Sequence, residues 1–216
     1  MAEEETPVSP IAHGVLADNK LAKIFEAPDK TSLPGLPIDS LNGERALYDI
    51  IRGRTILMPL WAEWCQPCLA ELPDFARLQQ KYGGASFAIV PILTGAHKQV
   101  TPQVLVEIFA GLHASAFEPL VEHKFGKQLM MAMAHQSFHE VALPCNLLIG
   151  PSGTVVAREI GIQSSAEQAA ATKQARETEH KDMLQQAEAG AVQSLWGTEA
   201  GDQFAAAMAN GFLDGY

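Results

Sequence analysis

The chain has 216 residues, of which 47% are hydrophobic and 19% charged, with a formal net charge of −10. That length suits one domain with extensions, and the apolar content is enough for a core that needs no metal or disulfide staple. The acidic balance argues against a nucleic-acid groove or an anionic membrane surface as partner, and three cysteines are too few for a disulfide framework.

The start, Met1-Ala2-Glu3-Glu4-Glu5-Thr6-Pro7, is acidic, whereas a secretory leader needs a basic flank and an apolar stretch. Residues 1–34 are polar and proline-bearing, with one apolar-periodic piece, Leu16 to Phe25, suited to a short helix. They read as an N-terminal extension to a domain spanning residues 35–216. Ile38 to Leu41 and Glu44 to Leu47 flank Asn42-Gly43 and predict a β-hairpin, since Asn-Gly supplies the positive φ angles of a tight turn. Ile56 to Trp61 is a continuous apolar run, as in a strand buried on both faces. The most apolar run, Thr55 to Ala62, is far shorter than the ~20 residues of a membrane span. No membrane insertion of the given chain is therefore expected.

A helix follows from the cysteines onward. Leu72, Phe75, Leu78 and Tyr82 recur at three- and four-residue steps, and Gly83-Gly84 closes it. Phe87 to Ile92 predicts a second buried strand. Thr101-Pro102 opens another helix, with a hydroxyl cap, proline at the first helical position and a core face of Val104, Leu105, Ile108, Phe109 and Leu112. A third helix is expected over Phe125 to Phe138, with Leu129, Met130 and Met133 inward. Strands Asn146 to Ile149 and Thr154 to Glu159 are joined by the turn Gly150-Pro151-Ser152-Gly153. This alternation predicts a three-layer α/β domain with a mixed central sheet flanked by helices. Residues 163–193 turn to Ala, Gln, Glu and Lys, with Ser164 and Glu167 as a capping box, and read as an exposed helical insertion. Thr198 caps a last helix whose Phe204, Met208 and Phe212 pack.

Cys65 and Cys68 carry the chemistry. A disulfide-exchange centre needs an attacking thiolate and a second thiol close enough to resolve the mixed disulfide. At a helix start, unpaired N–H groups and the positive end of the dipole favour the Cys65 anion, while Cys68, one turn on, stays more buried and attacks back. Pro67 already has a helical φ and loses no needed donor. Zinc sites also use Cys-x-x-Cys but need two further ligands at recognisable spacing. A buried strand running straight into the pair favours redox chemistry, which requires no cofactor and no metal.

The segment Trp61-Ala62-Glu63-Trp64-Cys65-Gln66-Pro67-Cys68 resembles the active-site signature of the thioredoxin superfamily. With the Asn42-Gly43 hairpin, Glu71, Pro73, Pro144 and the hairpin through Gly153, the longer pattern resembles the TlpA-like thiol-disulfide oxidoreductases of the outer side of bacterial inner membranes. The match covers roughly residues 35–162 and 194–216. The resemblance implies a thioredoxin-like fold and a protein disulfide reductase that works on protein disulfides with a thiol electron donor. It implies Cys65 as nucleophile, Cys68 as resolving thiol and a groove formed by Trp61, Trp64, Gln66, Pro67, Leu143 and Pro144. It also implies a cis Pro144, which exposes the backbone of Leu143 for pairing with a substrate strand. Glu71 matches the acid near the buried thiol and can carry the proton of Cys68. The location implied is periplasmic with the leader removed, against a cytoplasmic one if the chain is full length.

Two positions depart from the family pattern. Pro59 stands where thioredoxins carry a buried aspartate, which leaves Glu71, Glu63 or water to move protons, and it predicts a bulge or break in the central strand. Cys145 follows Pro144 where relatives have a small hydroxyl residue; it reads as an inert buried thiol or as a third participant in exchange. His135 and His139 have metal-ligand spacing without a supporting acid motif, and Met130, Met131 and Met133 read as core filling. A copper chaperone on the same fold and a non-catalytic module binding partners through 163–193 are the competing functions.

Overall fold

The computed structural model describes residues 9–28, 32–97, 99–133, 143–160 and 194–214. The expected insertion at 163–193, with Ser164 and Glu167, and His135 and His139 lie outside them. Among the described residues, eight strands form one mixed sheet in the order β2-β1-β6-β5-β3-β7-β8, with β4 also paired to β3. The strands are β1 Pro37–Ser40, β2 Gly43–Ala46, β3 Thr55–Trp61, β4 Phe87–Ile89, β5 Ile92–Leu93, β6 Val121–Glu122, β7 Cys145–Ile149 and β8 Val155–Ile160. The helices are α1 Lys20–Ile24, α2 Leu47–Ile51, α3 Gln66–Tyr82, α4 Pro102–Gly111, α5 Gln128–Met133 and α6 Glu199–Ala209. This is the thioredoxin-like α/β arrangement with helices on both faces.

Every residue of β3 is buried, as its unbroken apolar sequence demands. Alternation divides the core in two. Leu57 and Trp61 face α3, α4 and α6, while Ile56, Met58 and Leu60 face Leu47 and Ile51 of α2 and Leu129 of α5. Pro59 leaves β3 itself unbroken: the antiparallel ladder to β7 runs through Pro59↔Asn146. The break falls in the neighbouring strand. Leu57 and Trp61 accept bonds from Val90 and Thr94 on the far side, so Pro59 turns its missing donor that way, opposite the gap between β4 and β5. The run expected as one strand over 87–92 is therefore two.

Other expectations shift in detail. In the hairpin only Gly43, at φ +100°, takes the left-handed conformation; the Ser40 hydroxyl completes the turn by accepting from Asn42 N and donating to Gly43 O. Leu47 starts α2 rather than continuing β2. Thr101 caps α4 by accepting from Val104 N, but Val104 itself is exposed, and Leu105 and Phe109 carry the buried face. The third helix starts later than expected: a 3-10 turn at His123–Phe125 precedes α5, and residues 134–138 of the expected span lie outside the described residues. Gly83 ends α3 at φ −64°, without a left-handed cap.

The expected N-terminal extension is built into the core. Ile11, Leu16, Leu21, Ala22 and Phe25 are buried in the cluster that holds α3 and α6. Asn19 caps α1 by accepting from Ala22 N and donates to Ala200 O at 2.9 Å. Glu26 and Arg158 exchange backbone bonds along β8. Leu21→Ala, at a site 1% exposed, is expected to cost about 2–5 kcal/mol in urea unfolding. A loss below about 0.5 kcal/mol, the usual size for a surface change, would mean that this segment is merely draped on the domain.

Candidate active site

The chain leaves β3 at Trp61, makes one turn and enters α3 at Cys65. Cys65 adopts extended backbone (φ −90°, ψ 94°), and its Sγ accepts a bond from Cys68 N at 3.4 Å, so the first cysteine is also the helix N-cap. Pro67 lies in the first helical turn, where a missing N–H costs nothing. The two sulfurs are bonded at 2.07 Å. Cys65 is 5% exposed and Cys68 2%, while Trp64, Gln66 and Pro67 around them are exposed.

Trp61 does not line a groove. It is buried against Phe109, with ring centroids 5.8 Å apart, because its position on β3 turns it under α4. Trp64 remains half-exposed at 48%. The loop after β5 is fastened to the cysteine turn at three points: Thr94 N donates to Trp61 O, Trp64 Nε1 to Gly95 O at 3.2 Å, and His97 N to Glu63 Oε1 at 2.9 Å. His97 Nδ1 also lies 2.6 Å from the same Glu63 oxygen. Neither the loop nor His97 was singled out from sequence, since nothing local marks it.

The Leu143–Pro144 bond is cis. The register Leu60↔Cys145 puts Pro144 beside Trp61, at the end of the sheet from which Cys65 emerges. Leu143 is half-buried there. Cys145 points to the opposite face, in the cluster with Met58, Leu60 and Leu147, whereas Cys65 and Cys68 belong to the other cluster. It is 3% exposed, and burial, helped by Glu159, pushes its thiol up to about 12. The sheet stands between it and the disulfide.

Glu71, one turn after Cys68 on α3, faces β7 and β8. Burial pushes its carboxyl up to about 8, and the negative charge of Glu159 adds to the shift, against a hydrogen bond from Asn146. Asn146 Nδ2 donates to Glu159 Oε2 at 2.5 Å, and burial raises Glu159 to about 6. Sequence reasoning missed Asn146 and Glu159; the signal was an asparagine heading an otherwise apolar strand, opposite a glutamate in the next. Folded Glu71 binds its proton more tightly than the unfolded residue, whose ordinary value is 4.5. The stability given by the neutral form is therefore complete below that value and is lost as pH rises toward about 8. Glu71→Gln should flatten this fall and unfold at higher urea than wild type on the alkaline side. Parallel urea curves across the window would remove Glu71 as the cause.

A disulfide capping the first turn of a helix, a cis-proline beside it and a mixed sheet behind define a thioredoxin-superfamily protein. In sequence the chain is similar to thioredoxin-like proteins and to thiol-disulfide oxidoreductases of the ResA kind. No family model matches the sequence. The thioredoxin-like protein YneN of Bacillus subtilis is 29% identical over 91 residues, 42% of this chain and 52% of that protein. The thiol-disulfide oxidoreductase ResA of the same organism is 24% identical over 123 residues, 57% of this chain and 62% of its own. The crystal structure of StoA from Bacillus subtilis superposes with a TM-score of 0.43 at 21% identity, covering 63% of this chain and 96% of that one. The chain thus spans about half to three-fifths of the length of the curated relatives it matches. Among the described residues no helix is long and apolar enough to cross a membrane.

Proposed function

We propose that the chain is a thiol-disulfide oxidoreductase working as a protein disulfide reductase. The observation that carries this reading is the Cys65–Cys68 bridge at the first turn of α3. When the bridge is open, the helix N-terminus stabilises the Cys65 thiolate. That thiolate attacks one sulfur of a substrate disulfide, the substrate bond breaks, and its other sulfur leaves as a thiolate that takes a proton from water. Glu71 takes the proton of Cys68, a role suited to an acid that titrates near neutrality. Cys68 then attacks Cys65 Sγ, releases the second substrate thiol and closes the bridge, which a thiol donor reopens.

Exposed Trp64, Gln66 and Pro67, with the backbone of Leu143 beside cis Pro144, make the surface on which an extended substrate segment pairs. Reduction as the working direction, protein disulfides as substrates and a place outside the cytoplasmic membrane rest on similarity to the TlpA/ResA-like proteins.

Direction is tested by equilibrating the pair against glutathione buffers. A reductase is expected toward the thioredoxin end of the Cys-x-x-Cys range, roughly −270 mV, rather than the oxidising end near −120 mV. A value at the oxidising end would reverse the direction and leave the exchange chemistry intact.

A further inference from the structure

Behind the disulfide, α3, β7 and β8 enclose two carboxyl groups and one amide. Asn146 is fully buried, Glu159 is 9% exposed and Glu71 is largely covered. The register Asn146↔Glu159 puts both side chains on the face covered by α3, where Asn146 donates to Glu159 at 2.5 Å and the charge of Glu159 acts on Glu71. The amide offers two N–H donors and one carbonyl acceptor. Its Oδ1 is buried and has no hydrogen-bond partner among the described residues.

Donor counting then constrains the protonation state. With both glutamates ionised, neither carboxylate can donate to Asn146 Oδ1, which is left without a partner. With one carboxyl protonated, its O–H can meet Oδ1 and every polar atom of the trio has a partner. Exchanging the amide O and N leaves this requirement unchanged, because the oxygen still needs a donor. Two carboxyls so close in a dry site cannot both ionise freely.

The geometry points to one proton held between Glu71 and Glu159 across Asn146, a buried store that protonates Cys68 through Glu71 when the bridge opens and takes the proton back when it closes. This deepens the disulfide-exchange reading and rests on it. In the opening step a thiolate of the donor dithiol attacks Cys65 Sγ, and the Cys65–Cys68 bond breaks with its electron pair on Cys68. Cys68 takes the proton from Glu71. The second donor thiolate then attacks the donor sulfur bound to Cys65, which leaves Cys65 as thiolate and the donor as a disulfide. The donor's two protons go to water, and the carboxyl pair stays without its proton until Cys68 returns it as the bridge closes. Glu159 and Asn146 do not touch the sulfurs in this scheme; they are positioning residues that act through Glu71.

The other charged or titratable groups around the trio are few. Asp74 follows Glu71 on α3 and pushes in the same direction. Glu26 runs along the outer edge of β8. Arg158 and Cys145 project from the other face of the sheet, since Arg158 pairs with Leu147. None lies between the two carboxyls in the register.

The test follows each glutamate carboxyl by carbon-13 NMR titration of oxidised wild type, Glu159→Gln and Glu71→Gln. The Glu71 midpoint is expected to fall by about one pH unit or more in Glu159→Gln, the size of a like-charge effect at close range. The Glu159 midpoint should fall reciprocally in Glu71→Gln, which keeps the test alive if the first variant does not fold. The pH profile of insulin reduction should shift in Glu159→Gln in the same direction as the Glu71 midpoint. Glu71 curves that coincide with and without Glu159 would overturn the shared proton. Wild type that titrates as expected yet reduces no insulin would defeat the exchange reading and leave the shared proton standing.

Discussion

Cys65→Ser is expected to abolish insulin reduction, with turnover falling at least about a thousandfold, because the variant keeps the fold and loses the attacking sulfur. Serine at the helix start still accepts from the N–H of residue 68, so the cap survives and circular dichroism should stay unchanged. Cys68→Ser behaves differently. Cys65 still attacks, but no second thiol closes the ring, and mixed disulfides with substrate accumulate on non-reducing gels. Cys145→Ala is the matching control, and exchange should continue at the wild-type rate since Cys145 packs on the far face of the sheet. Normal turnover by Cys65→Ser would sink the catalytic reading, and absence of trapped species in Cys68→Ser would sink the order of attack.

The second large effect concerns the platform beneath the site. Trp196, 2% exposed, lies in the 3-10 turn Leu195–Gly197 and touches three elements at once. Its ring meets Phe75 of α3 at 4.9 Å, Phe204 of α6 at 5.4 Å and Phe25 of the N-terminal segment at 6.3 Å. Its carbonyl accepts from Arg77 Nη2, and a Cβ on Gly201 would sit 2.2 Å from that same oxygen, so α6 closes onto the turn only through a glycine. Trp196→Ala is expected to cost about 3–5 kcal/mol. At roughly 2–4 °C per kcal/mol for a domain of this size, the melting temperature drops by about 6–20 °C. A loss under about 1 kcal/mol in urea with an unchanged slope would show that α6 and the N-terminal segment are anchored elsewhere.

The parts of the molecule legible in the sequence are those that local physics determines. Ile56 to Trp61 could only be a buried strand, Cys65-Gln66-Pro67-Cys68 a helix start, Thr101-Pro102 a capped helix and Gly150 to Gly153 a turn; each interaction spans a few residues. Even there the outcome depended on neighbours. Pro59 broke the strand beside it rather than its own, because β7 took the donors on one side and β4 and β5 met the gap on the other. Leu47 left the hairpin for α2, where it packs beneath the sheet.

By itself the sequence determined the dithiol centre, the mixed α/β sheet, the strand-helix junction that places the cysteines, and Glu71 on the same helix. Only the tertiary structure decided which face each residue takes: Trp61 in the core, Cys145 behind the sheet, the N-terminal segment against α6. It alone brought Asn146 and Glu159 to Glu71. The reason is that caps and periodicities are fixed by neighbours along the chain, whereas desolvation and charge coupling depend on strands and helices far apart in sequence closing over the same volume.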